Sequence, residues 1–554
     1  MQFEKTVEQI FESIRAEGER PVWISLADER QAVERKNAID PSLPLAGVAF
    51  AVKDNFDVAG MMTTAGCPSY AYKAGSTAPV VKRLIDAGAI LIGKTNMDQF
   101  ATGLVGVRSP YGACSSVFDP RYISGGSSSG SAVAVAKGLC AFALGTDTAG
   151  SGRVPAAFNG IVGVKPTRGL LSTSGVVPAC RSLDCVSIFA RTVNEARTVW
   201  EVAREFEAHH AAPWLAGSFR FGVPDDSQLN FFGDEETPGL YRRSVERLEQ
   251  LGGTKVAIDF AVFREAADLL YTGPWVAERY AAVGDFLTRT SEDVDPVVRE
   301  IILGGAKHSA VAAFRGMYRL EELKRRADRQ WSLMDVLLLP TAGTIYTHED
   351  IQGDPVRLNS NLGFYTNFVN LMDLAAIAVP GGFRSGGLPF GVSIIGRANS
   401  DRALLTLAER FLGETSAMTA ADSGCVALAV VGAHLNGQPL NYQLTERGAR
   451  LMKPCRTASD YRLFALSGTL PAKPGLVREP GFKGPGIEVE LWAIPESAFG
   501  SFVVAVPPPL AIGNVQLDDE TWVKGFVCEP AAIPGALEIT RFGGWKDYLT
   551  QQMS

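Results

Sequence analysis

Apolar and polar positions alternate over residues 45–170 in a pattern that predicts short strands followed by helices. The apolar runs have strand length, and the helical stretches end at glycine. The pattern continues to about Phe411. Strands that alternate with helices are typical of an α/β layered domain, so we predict one such domain over residues 1–413. The predicted elements are strands at Val48–Val52, Ala89–Ile92, Ala141–Leu144, Val336–Leu339, Ala375–Val379 and Val392–Ile395 and helices at Ala78–Ala87 and Ser131–Lys137.

The first residues predict an amphipathic helix that packs on a core. The mixture of acidic and basic residues in this stretch is unlike a signal peptide. No uninterrupted apolar run in the chain is long enough to cross a bilayer, so we expect a cytoplasmic protein that does not bind membranes. The apolar residues at helical spacing are Phe3, Val7, Ile10, Phe11 and Ile14.

Residues 414–424 are mostly small and polar and predict a linker. The pattern of apolar and polar positions changes after this linker. Beyond it, strand-like apolar stretches dominate and long helical patterns are few. We therefore predict a smaller α+β or mostly β domain over residues 425–554. Its predicted strands are Val426–Val431, Arg462–Leu466, Ile487–Ala493, Phe502–Val506, Trp522–Cys528 and Leu537–Ile539.

Composition narrows the classes of function. A net charge of -7 argues against a nucleic-acid binder, which would present a basic face. The eight cysteines are scattered and form no CxxC pair. This spacing suggests neither a zinc site nor a disulfide framework and fits free thiols in a reducing compartment. We therefore expect no metal and no cofactor.

Two Gly/Ser loops carry the candidate chemistry. They are Gly125–Ser131 and Gly145–Gly152, and they flank a predicted helix and strand. Neither loop has the lysine that a phosphate-binding P-loop requires after its last glycine, and the Rossmann glycine spacing is absent. Serine hydroxyls in glycine-rich turns fit acyl transfer better, because a serine nucleophile needs only a base within hydrogen-bond reach.

Lys53 is the candidate base. None of the five histidines lies near the two loops in sequence, and a lysine can replace histidine in serine hydrolases. Lysine must be neutral to accept a proton, so burial must lower its pKa from about 10.4. Lys53 follows the apolar run Gly47–Val52, which favours burial. On the residues alone, a lysine that extends to water or pairs with Asp54 fits equally well.

The two loops, together with Ala51–Asp54, resemble the amidase signature family of Ser-cisSer-Lys hydrolases. The three motifs occur in the order of that family, and the resemblance covers roughly residues 20 to 410. It implies a mixed β-sheet core covered by helices. It also implies Ser151 as nucleophile, Ser127 as a bridging serine on a cis peptide bond, and Lys53 as base.

The tight turn before the candidate nucleophile could also supply an oxyanion hole, because backbone N–H groups there can point inward together. The resemblance places Gly126 among the substrate contacts. The predicted oxyanion donors are the backbone N–H groups of Thr148, Ala149, Gly150 and Ser151.

Within this family the chain resembles the allophanate hydrolases, on Pro44–Tyr72, Gly145–Pro155 and Leu270–Tyr280. The resemblance implies allophanate (urea-1-carboxylate) as substrate, with Tyr271 and Arg279 as contacts. A guanidinium can bind a carboxylate through two parallel hydrogen bonds. On the residues alone, a solvated surface arginine on a helix is the favoured interpretation of Arg279, and the resemblance is what favours a ligand role. The implied products are ammonia and carbon dioxide.

Residues 425–554 resemble the C-terminal domain of allophanate hydrolases, which has a γ-glutamylcyclotransferase-like fold. The motif that carries this likeness is Val430–Leu444. It implies His434 as the base of a decarboxylation step, although a structural histidine or a domain kept for assembly remains open. Glu488 and Glu490 alternate on one predicted strand face. They could line the same pocket as His434, but we favour the alternative that they face water.

Two other functions stay open at this point. One is a broader amidase or an amidotransferase-like subunit, and the other is a scaffold whose C-terminal domain binds a partner. The family resemblance further implies a homodimer. A complex with a urea carboxylase or another enzyme that produces allophanate is a possible assembly.

Overall fold

The computed structural model describes residues 5–18, 21–205, 219–414 and 425–552. These residues form two compact units, one up to residue 414 and the other from residue 425. Most of the predicted linker lies outside the described residues, as does Phe3 of the predicted first helix. No helix in the described ranges combines the length and apolar character that a bilayer span requires.

The first unit is built on a mixed sheet. Its strand order is β1-β5-β2-β6-β8-β7-β12-β13-β11-β9-β10, and β3 pairs with β4 separately. The strands are β1 (Trp23–Leu26), β2 (Ala49–Lys53), β3 (Met62–Thr63), β4 (Tyr72–Lys73), β5 (Ile90–Thr95), β6 (Phe142–Asp147), β7 (Val162–Lys165), β8 (Cys185–Ala190), β9 (Phe219–Pro224), β10 (Gly253–Ile258), β11 (Val336–Pro340), β12 (Ala375–Phe383) and β13 (Pro389–Gly396).

Helices cover this sheet, and their apolar faces form separate buried clusters with it. The helices are α1 (Val7–Glu17), α2 (Glu29–Ala38), α3 (Pro79–Asp86), α4 (Ser129–Ala136), α5 (Val154–Phe158), α6 (Val193–Ala203), α7 (Thr237–Gln250), α8 (Ala261–Thr272), α9 (Val276–Arg289), α10 (Pro296–Gly304), α11 (Ala310–Trp331), α12 (His348–Gly353), α13 (Arg357–Leu362), α14 (Asn367–Leu371) and α15 (Asp401–Leu412).

The strands and helices predicted from periodicity in this unit are present, with boundaries shifted by a few residues. The predicted α/β class with a mixed sheet is therefore confirmed. The first helix begins after Thr6, whose side chain accepts a hydrogen bond from the Gln9 backbone N–H. As predicted, it buries Val7, Ile10 and Phe11.

The register of the sheet decides where the site lies. Strand β2 runs parallel to both β5 and β6, and its Val52 pairs with Leu144 of β6. The carboxyl ends of parallel strands meet at one edge of a sheet, where α/β proteins commonly bind ligands. Lys53 ends β2 and Asp147 ends β6, so the loop that follows β6 lies beside the predicted base.

The second unit is α+β, as predicted. Five strands pair in the order β15-β18-β14-β20-β19, and three in the order β17-β16-β21. Together with the helices they enclose one apolar cluster. The elements are β14 (Cys425–Val430), α16 (Tyr442–Thr445), β15 (Arg450–Arg456), β16 (Tyr461–Ala465), β17 (Pro474–Arg478), β18 (Glu488–Pro495), α17 (Glu496–Val504), β19 (Leu510–Gln516), β20 (Trp522–Cys528), β21 (Leu537–Glu538) and α18 (Trp545–Gln552).

The strand predicted at Phe502–Val506 is wrong. Residues 502–504 complete helix α17, and Phe502 is fully buried against the core of the unit. An apolar run of five residues has no period that separates a strand from a buried helix segment. Here packing against the core of the unit stabilises the helix, and the local sequence pattern gives no information about that packing.

Candidate active site

Lys53 lies at the center of the site, at the end of the fully buried strand β2. Its Nζ donates hydrogen bonds to Ser127 Oγ at 2.7 Å and to Thr146 Oγ1 at 2.8 Å. The side chain has no exposed surface, so the alternative of a lysine that extends to water is excluded. The predicted burial of this lysine is confirmed.

Burial lowers the pKa of Lys53 to about 7. The physical cause is the loss of hydration, which disfavours the ammonium form. The carboxylates of Asp98, Asp184 and Asp147 oppose this effect, since negative charge favours the protonated lysine. Near pH 7 the charged and uncharged forms of Lys53 are therefore both populated, and the uncharged amine can accept a proton.

Ser127 lies in a loop, and the residue has no exposed surface. The peptide bond between Gly126 and Ser127 is cis, as the family resemblance implied. The Ser127 carbonyl accepts a hydrogen bond from the Asp98 backbone N–H at 3.1 Å, and the Gly126 N–H donates to Leu104 O at 2.9 Å. Backbone contacts on both residues thus fix the hydroxyl that faces Lys53.

The turn that carries Ser151 is held by a buried ion pair. The Asp147 carboxylate accepts hydrogen bonds from the backbone N–H groups of Gly150 and Gly152 at 2.8 and 3.0 Å. The same carboxylate pairs with Arg153, and both side chains are fully buried. Ser151 Oγ lies 3.5 Å from Gly103 O, which is long for an O–H···O bond. The Ser151 hydroxyl therefore forms at most a weak hydrogen bond with the Gly103 carbonyl.

The oxyanion prediction needs one correction. The Gly150 N–H donates to Asp147 and cannot also serve an oxyanion. The Thr148 hydroxyl donates to Asp184 Oδ1 at 2.6 Å, which fixes this end of the turn. In the part of the chain that the structure describes, the backbone N–H groups of Thr148, Ala149 and Ser151 have no acceptor outside the sheet. These three remain the candidate donors.

Arg279 lies on helix α9 and is 2% exposed. Its Nη1 donates to Thr102 Oγ1 at 2.9 Å and to Ala101 O at 3.3 Å. The guanidinium lies 6.0 Å from the ring of Tyr271, which is half-buried. The alternative of a solvated arginine is therefore excluded.

No carboxylate of the described residues lies within 4.0 Å of Arg279. Isolated charge inside a protein is costly and is normally paired. The electrostatic influence of Arg279 reaches Lys53, whose pKa it lowers. Arg279 thus has no ion pair within the described residues. Against the effect of burial, the carboxylates of Asp184 and Glu278 raise its pKa from farther away. A buried guanidinium of this kind can bind an anionic ligand.

Sequence reasoning missed several side chains that hold the site together. Thr146, Asp147 and Arg153 belong to the Gly145–Pro155 segment that the resemblance rests on, so the motif itself contained the signal. Asp98 and Thr102 come from a loop between β5 and α4 with no pattern of its own. Only their spatial contacts identify them.

His434 lies in the second unit and is 7% exposed. Its Nε2 lies 3.0 Å from Gln443 Oε1, and its ring stacks on Phe526 at 4.8 Å between centroids. It lines a cavity of about 230 Å³ together with Lys473 and others. Burial lowers the pKa of His434, so the ring is neutral near pH 7. A neutral ring beside a cavity is compatible with the predicted base.

The expectation that Glu490 faces water is wrong. This carboxylate is 7% exposed and accepts hydrogen bonds from Asn436 N at 2.7 Å and Trp492 Nε1 at 3.1 Å. Lys546 adds an ion pair at 3.0 Å. Glu488 is exposed as expected and pairs with Arg456 at 3.0 Å. Both glutamates line a cavity of about 340 Å³ that differs from the cavity of His434.

Comparison with known proteins identifies the families to which both units are similar. Residues 22–405 match the family described as Amidase, and residues 426–550 match the family described as Allophanate hydrolase C-terminal domain. Over 420 residues the chain is 37% identical to one of the subunits of the glutamyl-tRNA(Gln) amidotransferase of Symbiobacterium thermophilum, covering 68% of this chain and 84% of that protein.

Other relatives match almost the whole length of this chain. The chain is 42% identical over 585 residues to a urea amidolyase of Lachancea kluyveri, covering 98% of this chain and 32% of that protein. The chain thus spans about a third of the length of the urea amidolyases it matches. The structure of a Kluyveromyces lactis allophanate hydrolase aligns with a TM-score of 0.85 at 40% identity, covering 99% of this chain and 97% of that one. The chain therefore belongs to the amidase family, and its residues 426–550 form an allophanate hydrolase C-terminal domain.

Proposed function

We propose that this chain hydrolyses allophanate to ammonia and carbon dioxide through a seryl acyl-enzyme. The observation that carries the proposal is Arg279, a buried guanidinium that forms no ion pair within the described residues and lies in the same unit as Lys53, Ser127 and Ser151. Allophanate is small and planar and joins a primary amide to a carboxylate. The likeness to the K. lactis allophanate hydrolase over almost the whole chain supports the same assignment.

The chemistry begins with a proton relay. Neutral Lys53 takes the proton of Ser127, which takes that of Ser151 as the Ser151 Oγ attacks the terminal amide carbonyl. The backbone N–H groups of Thr148, Ala149 and Ser151 are the proposed donors to the oxyanion. The proton then returns through the relay to the leaving nitrogen, and ammonia departs. Water attacks the resulting acyl-enzyme ester by the same relay and releases an N-carboxylated carbamate. This dicarboxylate loses one carbon dioxide to give carbamate, and carbamate then breaks down to a second carbon dioxide and a second ammonia.

Arg279 supplies the selectivity for an acid. Its guanidinium can donate two parallel hydrogen bonds to the substrate carboxylate, which fixes orientation as well as charge. The side chain is buried away from bulk water, so this pair is stronger than it would be at the surface. The hydroxyl of Tyr271 completes the contact with the same carboxylate.

Replacing Arg279 by methionine tests the function directly. We expect kcat/KM for allophanate to fall by at least about 10²-fold, since two hydrogen bonds to a charged group are lost and each contributes at least about 1.5 kcal/mol. Hydrolysis of the uncharged amide propionamide should change little. The measurement is the initial rate of ammonia release from each substrate. Arg289→Met, an exposed arginine on the same helix, is the matched control.

A wild-type protein that hydrolyses propionamide as efficiently as allophanate would contradict the proposal. That outcome would favour the broader amidase. An equal loss on both substrates in Arg279→Met would instead show that this residue supports the fold and does not select the acid.

For the second unit we propose that His434 accelerates loss of carbon dioxide from the carboxylated carbamate. The support is a neutral, buried imidazole at a cavity, with Gln443 Oε1 accepting from Nε2–H and leaving Nδ1 as the basic nitrogen. In the proposed reaction, hydrolysis of the acyl-enzyme releases the carboxylated carbamate from Ser151 before this step.

His434→Asn is expected to separate the two steps. The initial rate at which allophanate disappears should be unchanged, while carbon dioxide release should show a lag that the wild type lacks. The measurement is simultaneous recording of ammonia and carbon dioxide from one reaction. His308→Asn, in the first unit, is the control. An identical time course for His434→Asn and wild type would mean that the step needs no catalysis by this residue.

The remaining proposals concern assembly and supply. We propose a cytoplasmic homodimer that acts on allophanate made by a urea-carboxylating enzyme, either in a complex or in a longer chain. The support is that relatives of about three times this length carry the name urea amidolyase.

A further inference from the structure

The segment Phe100–Gly103 has an unusual backbone. Phe100 and Ala101 have φ values of 50° and 52°, in the left-handed region that residues with a side chain rarely adopt. Both are buried. Consecutive residues in this region persist only where the surrounding structure holds them, and they concentrate at functional sites.

Contacts at both ends hold this segment in place. The Ala101 N–H donates to Asp98 O at 3.0 Å and the Thr102 N–H to Gln99 O at 2.9 Å. Just beyond it, the Leu104 N–H donates to Asn359 Oδ1 at 2.8 Å. The segment is therefore a rigid part of the first unit and not a loop that adapts to a ligand.

The segment Phe100–Gly103 contacts both Arg279, the proposed carboxylate-binding residue, and Ser151, the proposed nucleophile. Thr102 is fully buried, and its Oγ1 accepts a hydrogen bond from Arg279 Nη1 at 2.9 Å while donating to Phe100 O at 3.2 Å. One residue later, Gly103 O lies 3.5 Å from Ser151 Oγ. A single peptide unit thus separates the group that holds the guanidinium from the group beside the nucleophile.

We propose that Thr102 is a specificity-determining positioning residue. It fixes Nη1 of Arg279, so that the other N–H groups of the guanidinium meet the substrate carboxylate at a set distance from Ser151. In allophanate, the proposed substrate, the carboxylate is one atom removed from the scissile carbonyl, so the fixed guanidinium would favour amides with this spacing. This inference rests on the proposed function.

The hydroxyl of Thr102 is the essential part. Without it, Nη1 keeps only the Ala101 carbonyl, at the longer distance of 3.3 Å. The guanidinium could then swing, and its distance to the nucleophile would no longer be defined. A serine keeps the hydroxyl, whereas valine keeps the shape and loses the acceptor.

The test uses four substrates that differ in charge and reach. These are allophanate, malonamate with the same reach, succinamate with one more methylene, and uncharged propionamide. We expect Thr102→Val to raise KM for allophanate and malonamate about tenfold, the effect of one hydrogen bond to a charged group. The kcat values and the kinetics on propionamide should stay within about threefold. The preference of the wild type for malonamate over succinamate, at least about tenfold for one methylene, should shrink in this variant.

Thr102→Ser should restore the wild-type KM and the preference for the shorter acid. If Thr102→Val does not fold, Thr102→Cys keeps the size with a weak acceptor and should show the same changes. An equal loss on propionamide, or unchanged KM for both short acids, would overturn the inference. A wild type that prefers propionamide to both acids would instead overturn the proposed function and, with it, the basis of this inference.

Discussion

Replacing Ser151 by alanine is expected to lower kcat for allophanate by about 10⁴–10⁶-fold, the range seen when a serine hydrolase loses its nucleophile. The proposed reaction has no other route to the acyl-enzyme. Ammonia release under saturating allophanate measures the effect. The fold should survive, because the hydrogen bond of Ser151 Oγ within the described residues is a long one, to Gly103 O at 3.5 Å.

The control for this variant is Ser131→Ala. Ser131 is also fully buried, and its Oγ shares a 2.7 Å hydrogen bond with Thr95 Oγ1. Loss of this hydroxyl removes a buried hydrogen bond but no proposed catalytic atom, so we expect lower stability with kcat retained. Full activity in Ser151→Ala would eliminate the proposed nucleophile.

Lys53→Met should produce the second largest effect, a loss of about 10²–10⁴-fold in kcat, because general base catalysis contributes by this amount. The pH dependence gives a sharper test. With the pKa of Lys53 lowered to about 7 by burial, the lysine is protonated and inactive below that pH. It is neutral and competent above it, so kcat/KM of the wild type should rise with pH and level off above about 7. The variant should lack this rise.

Lys165→Met is the matched control for burial. Lys165 is 1% exposed, and its Nζ donates to Pro166 O at 2.8 Å, away from Ser127. This variant should keep the rise of kcat/KM near pH 7 even where stability falls. If Lys53→Met retained the rise, another group would have to be the base.

The sequence alone predicted those features of the site that depend on residues adjacent in the chain. Lys53 follows an apolar strand and Ser151 lies in a glycine-rich turn, and both relations are visible as neighbouring letters. The burial of Arg279 was not visible, because the surroundings of its helix come from distant segments. The engagement of the Gly150 N–H by Asp147 was also hidden, since spacing gives no direction to a side chain.

In the second unit, prediction failed where two structures share one pattern. Alternating glutamates suit either a wet strand face or a cavity wall, and only the contacts of Lys546 and Trp492 decide for Glu490. Phe502–Val506 failed for the same reason, because its apolar run suited both helix and strand.

The separation of Arg279 from the three proposed catalytic side chains has a consequence for how such an enzyme can diversify. Lys53, Ser127 and Ser151 lie at the sheet edge and its loops, whereas the guanidinium arrives on helix α9. Mutations on that helix can therefore explore new substrates while the bond-breaking machinery is preserved. For the protein engineer, α9 is the element to randomise when a different amide is wanted.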